Sequence, residues 1–342
     1  KMSTITDVTK FLQENYVLGE RVDYMVQAND IYGLHTGQNA VSFLSTYCVP
    51  EYTVKSQEPT QKVEIVKSNK LHGCITSRMV QMYIRPTKTE DVYTQIPVYF
   101  MDFLCVHREH DSIKISRALV QTHEYNQRMY NKNIQCSLLK KDGEPYAGIR
   151  PLIAYKAYTY NLNNKKIIRM KPTYNVRLLT PATIIKYVDF FTYNTYMEQK
   201  TRMFDIMVLP DIGNITLQIK EKQLYIGCFY RDDDILGFYF LKDTKQYNDA
   251  YESKTLSLVA SIQNCRDSRL FYIGFLHVLR QIIHSNADYK VLTIENIGHN
   301  ETIHAYFTQE NVPVQSINMS YYSYNYVYPG SPFNPIRSFL LV

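Results

Sequence analysis

The chain has no tryptophan in 342 residues, beside 31 tyrosines. Its Tyr-, Asn-, Ile- and Lys-rich usage is the kind a biased genome produces, and no mechanism is read from it. No CxxC pair occurs among its six cysteines, Cys48, Cys74, Cys105, Cys136, Cys228 and Cys265. Most of them sit inside apolar, strand-like runs, which argues for buried free thiols in a reducing compartment. No apolar run approaches ~18 residues and no signal-peptide layout opens the chain, so a soluble, cytoplasmic protein without stable membrane insertion is expected. Lys1 stands before Met2, as in a tag remnant or a trimmed start. A Ser-His-Asp hydrolase would need a GxSxG, which is missing. The pair His107-x-x-His110 has no thiolate or third ligand at suitable spacing, so no metal is expected. The net charge of +6 comes from scattered cations and not from one dense basic element, which argues against nucleic acid and for a small anionic ligand.

What is present is organised around Val98–Tyr125. Val98–Val106 is continuously apolar apart from Asp102, as a buried strand would be. Ile115, Ala118, Leu119 and Thr122 then recur at the spacing of one helix face. Between them lies a turn bearing Arg108, His110, Lys114 and Arg117. A buried strand, a basic turn and a helix N-terminus together aim N–H groups and cations at one place, a suitable seat for an anion. An ordinary β–α unit with a solvated turn has the same pattern.

Upstream, Thr4-x-x-Asp7 reads as a capping box for a helix through Val8, Phe11, Leu12 and Asn15, ending near Gly19. Residues 20–40 read as a long loop and Ala40–Tyr47 as a short helix. Lys62–Ser68 and Lys70–Ser77 read as a hairpin turning at Asn69, followed by strands over Met79–Ile84 and Val92–Val106. Ile134–Leu139 and Leu152–Tyr160 read as strands joined by an Asp-Gly hairpin loop at 140–148.

The pattern then recurs. Thr180-Pro181 opens a helix through Ile184, Ile185, Val188 and Phe191. Ile215–Tyr230 and Asp234–Leu241 read as a strand hairpin. A strand at Thr255–Ile262, a helix at Arg269–Ser285, a strand at Lys290–Glu295, a helix at Glu301–Glu310 and one or two strands over Val314–Tyr328 follow. KLHGC at 70–74 answers DILGF at 234–238, and HDS at 110–112 answers RDS at 266–268. With the shared order of elements, this argues for an internal duplication.

Read in that order, the chain resembles the N-myristoyltransferase family. The residues that carry the resemblance are FLQENYV (11–17), VEIVKSNKLHGCITS (63–77), FLCVH (103–107), Pro151 with Tyr158 and Leu162–Asn163, Ser261, and the closing FLLV. The resemblance implies an α+β fold of two fused GNAT-like halves, residues 1–170 and 171–342. Their sheets would be mixed, mostly antiparallel, and related by a pseudo-twofold axis. It further implies a monomer that transfers a tetradecanoyl group from myristoyl-CoA to the N-terminal glycine of a peptide or protein.

Carried over residue by residue, the backbone N–H groups of Phe103 and Leu104 become the oxyanion donors, and the Val342 carboxylate becomes the base. Asp102 stands where the family has asparagine, and two carboxylates sharing a site would make it an accessory base. Acyl-CoA contacts map to Phe103, Leu104, Val106, Arg108, Ser112, Lys114, Ile115 and Ser116. Peptide contacts map to Tyr16, His35, Tyr158, Thr159 and Ser261. Asp111 places a carboxylate where the family's phosphate loop has arginine. A GNAT-like acyltransferase of other specificity, or a catalytically weak relative that binds acyl-CoA or acylated tails, shares most of these features.

Overall fold

A computed structural model describes residues 4–16, 22–55, 64–85, 94–162, 168–188, 204–286 and 288–342. Helix α1 (Ile5–Asn15) opens on the expected capping box: the Thr4 hydroxyl accepts from the Asp7 N–H at 3.2 Å, and the Asp7 carboxylate accepts from the Thr4 N–H at 2.8 Å. Gly19, the expected helix stop, lies outside the described residues. Strand β1 (Val22–Tyr24) and helix α2 (Ala28–His35) occupy the stretch that reads as one loop.

Two expectations fail next to each other. Ala40–Tyr47 is not a helix but leads into strand β2 (Phe43–Lys55), and no turn occurs at Asn69. A single strand, β3 (Glu64–Ile84), runs straight through it, with Asn69 facing Pro50 and Phe43 facing Ser77. Ser68, Asn69 and Lys70 are exposed there, so a polar run mimics a turn while the backbone stays paired.

Strand β4 (Thr94–Val106), helix α3 (Ser112–Tyr130), strands β5 (Ser137–Asp142), β6 (Ile153–Asn161) and β7 (Tyr174–Leu178) follow. The helix expected after Pro181 is only a 3-10 turn at Ile184–Tyr187, and Phe191 lies outside the described residues. After β8 (Ile206–Leu209), the start of the expected 215–230 strand is instead helix α4 (Ile212–Lys220). Its buried residues Asn214, Ile215, Gln218 and Ile219 recur at helical spacing. Strands β9 (Leu224–Arg231), β10 (Asp234–Asn248) and β11 (Ser253–Gln263), helix α5 (Ser268–Ser285), strand β12 (Tyr289–Glu295), helix α6 (Asn300–Glu310) and strands β13 (Gln315–Tyr324) and β14 (Ser338–Leu340) complete the chain.

The strands form one sheet in the order β14-β8-β3-β4-β5-β13-β6-β12-β11-β10-β9-β7, with β2 on β3 and β1 on β10. Its centre explains the duplication. Strand β4 runs parallel to β5 with α3 between them in sequence, and β11 runs parallel to β12 with α5 between them. The Asp142-Gly143 turn therefore does not close a β5–β6 hairpin. β13, from the second half, lies antiparallel between β5 and β6, and β6 pairs on to β12.

The sequence echo has a packing reason. A Cβ on Gly73 would stand 2.9 Å from Leu119 Cδ1 and 3.2 Å from Ile115 Cγ2, while one on Gly237 would stand 2.6 Å from the Phe271 ring. Each glycine thus lets the long helix of its half approach the sheet closely. Asp111 and Asp267 are the matching N-caps, accepting from Ile113 and Lys114, and from Leu270.

No disulfide joins the six cysteines; Cys48 and Cys265 are half-buried and the rest buried, so the expectation of burial holds for four. Among the described residues no helix is long and apolar enough to cross a membrane.

Helix α3 also buries an imidazole. His123, fully buried, bonds the hydroxyls of Ser45 (2.8 Å) and Ser77 (2.9 Å), and burial pushes it down to about 4. An unfolded histidine titrates near 6.5, so between about 4 and 6.5 the unfolded chain holds the extra proton. Stability should therefore fall as the pH drops through that window, by roughly 3 kcal/mol from this side chain. Denaturant titrations at pH 7 and pH 4.5 should find the wild type losing more stability on acidification than His123→Gln does.

Candidate active site

The first thing strand β4 does that a regular strand does not is at Phe103. Cys105 faces Cys74 and Asp102 faces Thr76, so Phe103 and Leu104 together oppose Ile75 alone. This is a β-bulge, and Phe103 takes a φ of 50° to make it, a conformation that L-residues adopt at a cost of roughly 1–2 kcal/mol. Burial of its ring offsets that cost. Phe103 packs with Val8, Leu12, Tyr24 and Cys74, edge-on to Tyr16 at 5.5 Å and 6.0 Å from His35. Pairing of β4 with β5 ends at Met101–Leu139, so the two strands part at the bulge. Leu104 is 37% exposed there. The second half repeats the device: Val259 is an extra residue on β11 opposite Phe240–Leu241, and β11–β12 pairing ends at Leu258–Ile294.

Asp102 accepts the Phe103 N–H on Oδ1 at 3.0 Å, while its own carbonyl accepts from the Thr76 hydroxyl at 3.2 Å. The expected oxyanion donor thus already has a carboxylate on it. Tyr16 and His35 are brought beside the bulge. Burial and then Asp102 hold the Tyr16 phenol well above its usual range. His35 bonds the Ile31 carbonyl through Nδ1 at 2.8 Å, and burial lowers its pKa. Asn214 of α4 fixes this end of α2, donating to the carbonyls of Gly33, Leu34 and Thr36 at 3.0, 3.0 and 2.7 Å.

Past the bulge, Val106 packs against Ile75, Met101, Ile115 and Leu119, and the Arg108 N–H donates to Asn15 Oδ1 at 3.3 Å. Ser112, Lys114 and Ser116 stand in the first turns of α3 with Ser112 and Lys114 exposed, and Ile115 faces inward. Asp111 Oδ1 occupies the N–H groups of Ile113 and Lys114 at 3.1 and 3.0 Å. His72, His107 and His110 cluster against this turn, with the rings of His72 and His110 stacked at 4.2 Å. Among the described residues no group of three His, Cys, Asp or Glu side chains is placed to hold a metal ion.

Sequence reasoning missed the buried charges behind the bulge. Lys140 of β5 and Glu295 of β12, one from each half, pair at 2.7 Å, and the Tyr155 hydroxyl donates to Glu295 at 2.5 Å. Arg78 of β3 is fully buried; its Nη1 reaches Asn214 Oδ1 only at 3.5 Å, and its Nε and Nη2 have no hydrogen-bond partner among the described residues. Lys242 of β10 donates to the main-chain oxygen of Val342 at 2.5 Å. Val342 itself is buried, following β14, which lies parallel on β8. The available signal was a charge inside an apolar run, as in CITSRMV, FYFLKD and LTIEN.

The other expected peptide contacts belong to the second half's part of the sheet. Tyr158 stacks on His304 at 4.2 Å, and the Thr159 hydroxyl meets that of Thr293 at 3.2 Å. Ser261, on β11 two residues beyond its bulge, is buried with no partner for its hydroxyl among the described residues.

No protein-family model and no curated protein matches this sequence. Among solved structures, Saccharomyces cerevisiae N-myristoyltransferase with bound myristoyl-CoA aligns at a TM-score of 0.65 and 14% identity, over 95% of this chain and 80% of that one. A structure of it with myristoyl-CoA and inhibitors aligns at 0.63 and 15% identity, over 97% of this chain and 80% of that one. A tandem GNAT protein from the clavulanic acid biosynthesis pathway aligns at 0.58 and 10% identity, over 94% of both chains. These likenesses establish the fold: the chain is built of two fused GNAT-like halves, as N-myristoyltransferase is.

Proposed function

We propose that this chain is an acyl-CoA N-acyltransferase that moves a tetradecanoyl group from myristoyl-CoA to the N-terminal glycine amine of a peptide or protein. The observation that carries the reading is the bulge at Asp102–Leu104, placed where β4 leaves β5, in a fold shared with an enzyme solved with bound myristoyl-CoA. In this reading residues 1–170 hold the acyl-CoA, and residues 171–342 supply acceptor contacts and Val342.

The thioester carbonyl would lie in the gap between β4 and β5, its oxygen on the N–H groups of Leu104 and Phe103. Such donors on a rigid element typically each contribute about 10²–10³ in rate. The Phe103 N–H becomes available only when the Asp102 carboxylate leaves it. Arg78, with two unpartnered nitrogens in the same buried region, is the natural place for that carboxylate to turn. Val342, given a free α-carboxylate, and Asp102 would receive the acceptor's ammonium between Tyr16 and His35. Tyr158, Thr159 and Ser261 would contact the acceptor further along the sheet. Val106, Arg108, Ser112, Lys114, Ile115 and Ser116 frame the CoA end. Burying the acyl chain at roughly 0.8 kcal/mol per methylene supplies about 10 kcal/mol, so acyl-CoA need not rely on any one phosphate contact.

The direct test is to incubate the protein with a panel of acyl-CoAs and Gly-initiated peptides and read product masses. A mass gain of one tetradecanoyl group at the N-terminal glycine is expected; transfer to no N-terminal glycine sinks this reading.

A second expectation concerns Asp111, which caps α3 but sets a carboxylate near the CoA phosphates. Asp111→Asn keeps the cap and removes the charge, so CoA should bind about 2- to 5-fold tighter at low salt, a charge effect of roughly 0.3–1 kcal/mol. Calorimetric titration with CoA should also show that advantage shrinking as salt is raised.

A further inference from the structure

Lys242 has no role in the chemistry described so far, yet its surroundings are unusual for a lysine. It stands on β10 of the second half, half-buried, and directs Nζ onto the Val342 oxygen at 2.5 Å. Four charged side chains from four other strands act on it electrostatically: Arg78 on β3, Asp102 on β4, Lys140 on β5 and Glu295 on β12. Glu295 is already committed to Lys140 and Tyr155. Asp102 bonds the Phe103 N–H beside the expected seat of the thioester. Three cations and two side-chain carboxylates thus share the region where, in this reading, the acceptor loses a proton beside Val342.

This arrangement makes a lone carboxylate a poor resting place for that proton. A carboxylate among Arg78, Lys140 and a charged Lys242 is held in its ionised form and gives up any proton it receives. An amine crowded by the same cations behaves in the opposite sense. Burial first, then Arg78 and Lys140, push Lys242 down to about 7, against the opposing pull of Asp102 and Glu295. A terminal amine of an acceptor titrates near 8, so the two amines are matched for proton transfer.

We propose that Lys242 is the final acceptor of the proton released by the incoming ammonium, with the Val342 oxygen orienting it and relaying the proton where Val342 carries a free carboxylate. The proposal deepens the acyl-transfer reading and rests on it. The steps balance as follows. The acceptor ammonium loses one proton to the neutral Lys242 amine, and the freed nitrogen lone pair forms the C–N bond at the thioester carbonyl. As the C–S bond breaks, its electron pair leaves on the CoA sulfur, which takes the second proton from that nitrogen. Lys242 then returns its proton to solvent, giving amide, free thiol and one released proton overall.

The test compares the pH–rate profile of transfer for the wild type, Lys242→Met and Lys242→Arg, with lysine Nζ titration by NMR on the same samples. The wild-type kcat/KM should rise through a pKa of about 7, and the Nζ signal missing from Lys242→Met should titrate at the same pH. Lys242→Met should lose about 10²-fold or more, the size of a general acid–base contribution, and with it the limb near 7. Lys242→Arg keeps a cation on Val342 and should not recover the rate at any pH, which separates proton transfer from charge or packing. Thermal unfolding should find both variants folded. A Lys242→Met profile that keeps the wild-type limb, or an arginine variant with the wild-type rate, overturns the proposal and leaves acyl transfer standing. If the wild type acylates no amine at all, the acyl-transfer reading fails, and this proposal falls with it.

Discussion

The architecture depends on one exchange at the middle of the sheet. β13, from the second half, is hydrogen-bonded between β5 and β6, and β6 continues the sheet to β12. Neither half can then close its own sheet. β5 and β12 each run parallel to one neighbour on their own half and antiparallel to a strand of the other. Parallel strands joined by a long helix can part once pairing stops, because no hairpin ties them. The parting points, after Met101–Leu139 and after Leu258–Ile294, fall on either side of the exchanged pair. A bulge in β4 and another in β11 mark them.

Charge collects where the two halves meet, for a reason that packing alone does not supply. Lys140 follows the last residue of β5 paired with β4, and Glu295 the last residue of β12 paired with β11, so the two equivalent positions carry opposite charges and meet at 2.7 Å. A buried ion pair is seldom a net gain over apolar residues of similar volume, but losing one partner is costly because the other is stranded. The pair therefore specifies how the halves join more than it strengthens them. Among the described residues, Arg78 and Lys242 are added cations with no such dedicated carboxylate partner. Holding them there has a desolvation cost, and the proposed acyl transfer would give them a use.

Much of this was legible in the sequence where local and tertiary signals agree. The Thr4–Asp7 box and the long faces of α3 and α5 are set by neighbours within a few residues, and the HDS and RDS echo marks the two helix starts that Asp111 and Asp267 cap. The echo between KLHGC and DILGF was also sound, because Gly73 and Gly237 answer the same steric demand under a helix. The failures occur where distant strands decide. Asn69 looks like a turn, yet β2 pairs along β3 past it. The Asp142-Gly143 turn looks like a hairpin, yet a strand more than 170 positions away enters beside β5. At the site, FLCVH marks the bulge, but Arg78, Lys140, Lys242 and Glu295 become a group only once four strands are assembled.

The bulge and the cluster are linked through Asp102. Its carboxylate satisfies the Phe103 N–H, which a buried strand would otherwise leave unpaired at the bulge. The same carboxylate is the first charged influence sustaining the Arg78 guanidinium, whose Nε and Nη2 lack partners. One anion thus stands between two demands, a main-chain donor on β4 that it meets and a cation on β3. An acyl oxygen arriving at Phe103 would take over the first demand and release the carboxylate for the second. In the proposed reaction the desolvation cost of the Arg78 guanidinium would then favour the substrate-bound arrangement, where both demands would be met. On this logic the aspartate at position 102 and the arginine at position 78 act as a unit, and a buried charge that looks like a defect becomes part of how the site admits its substrate.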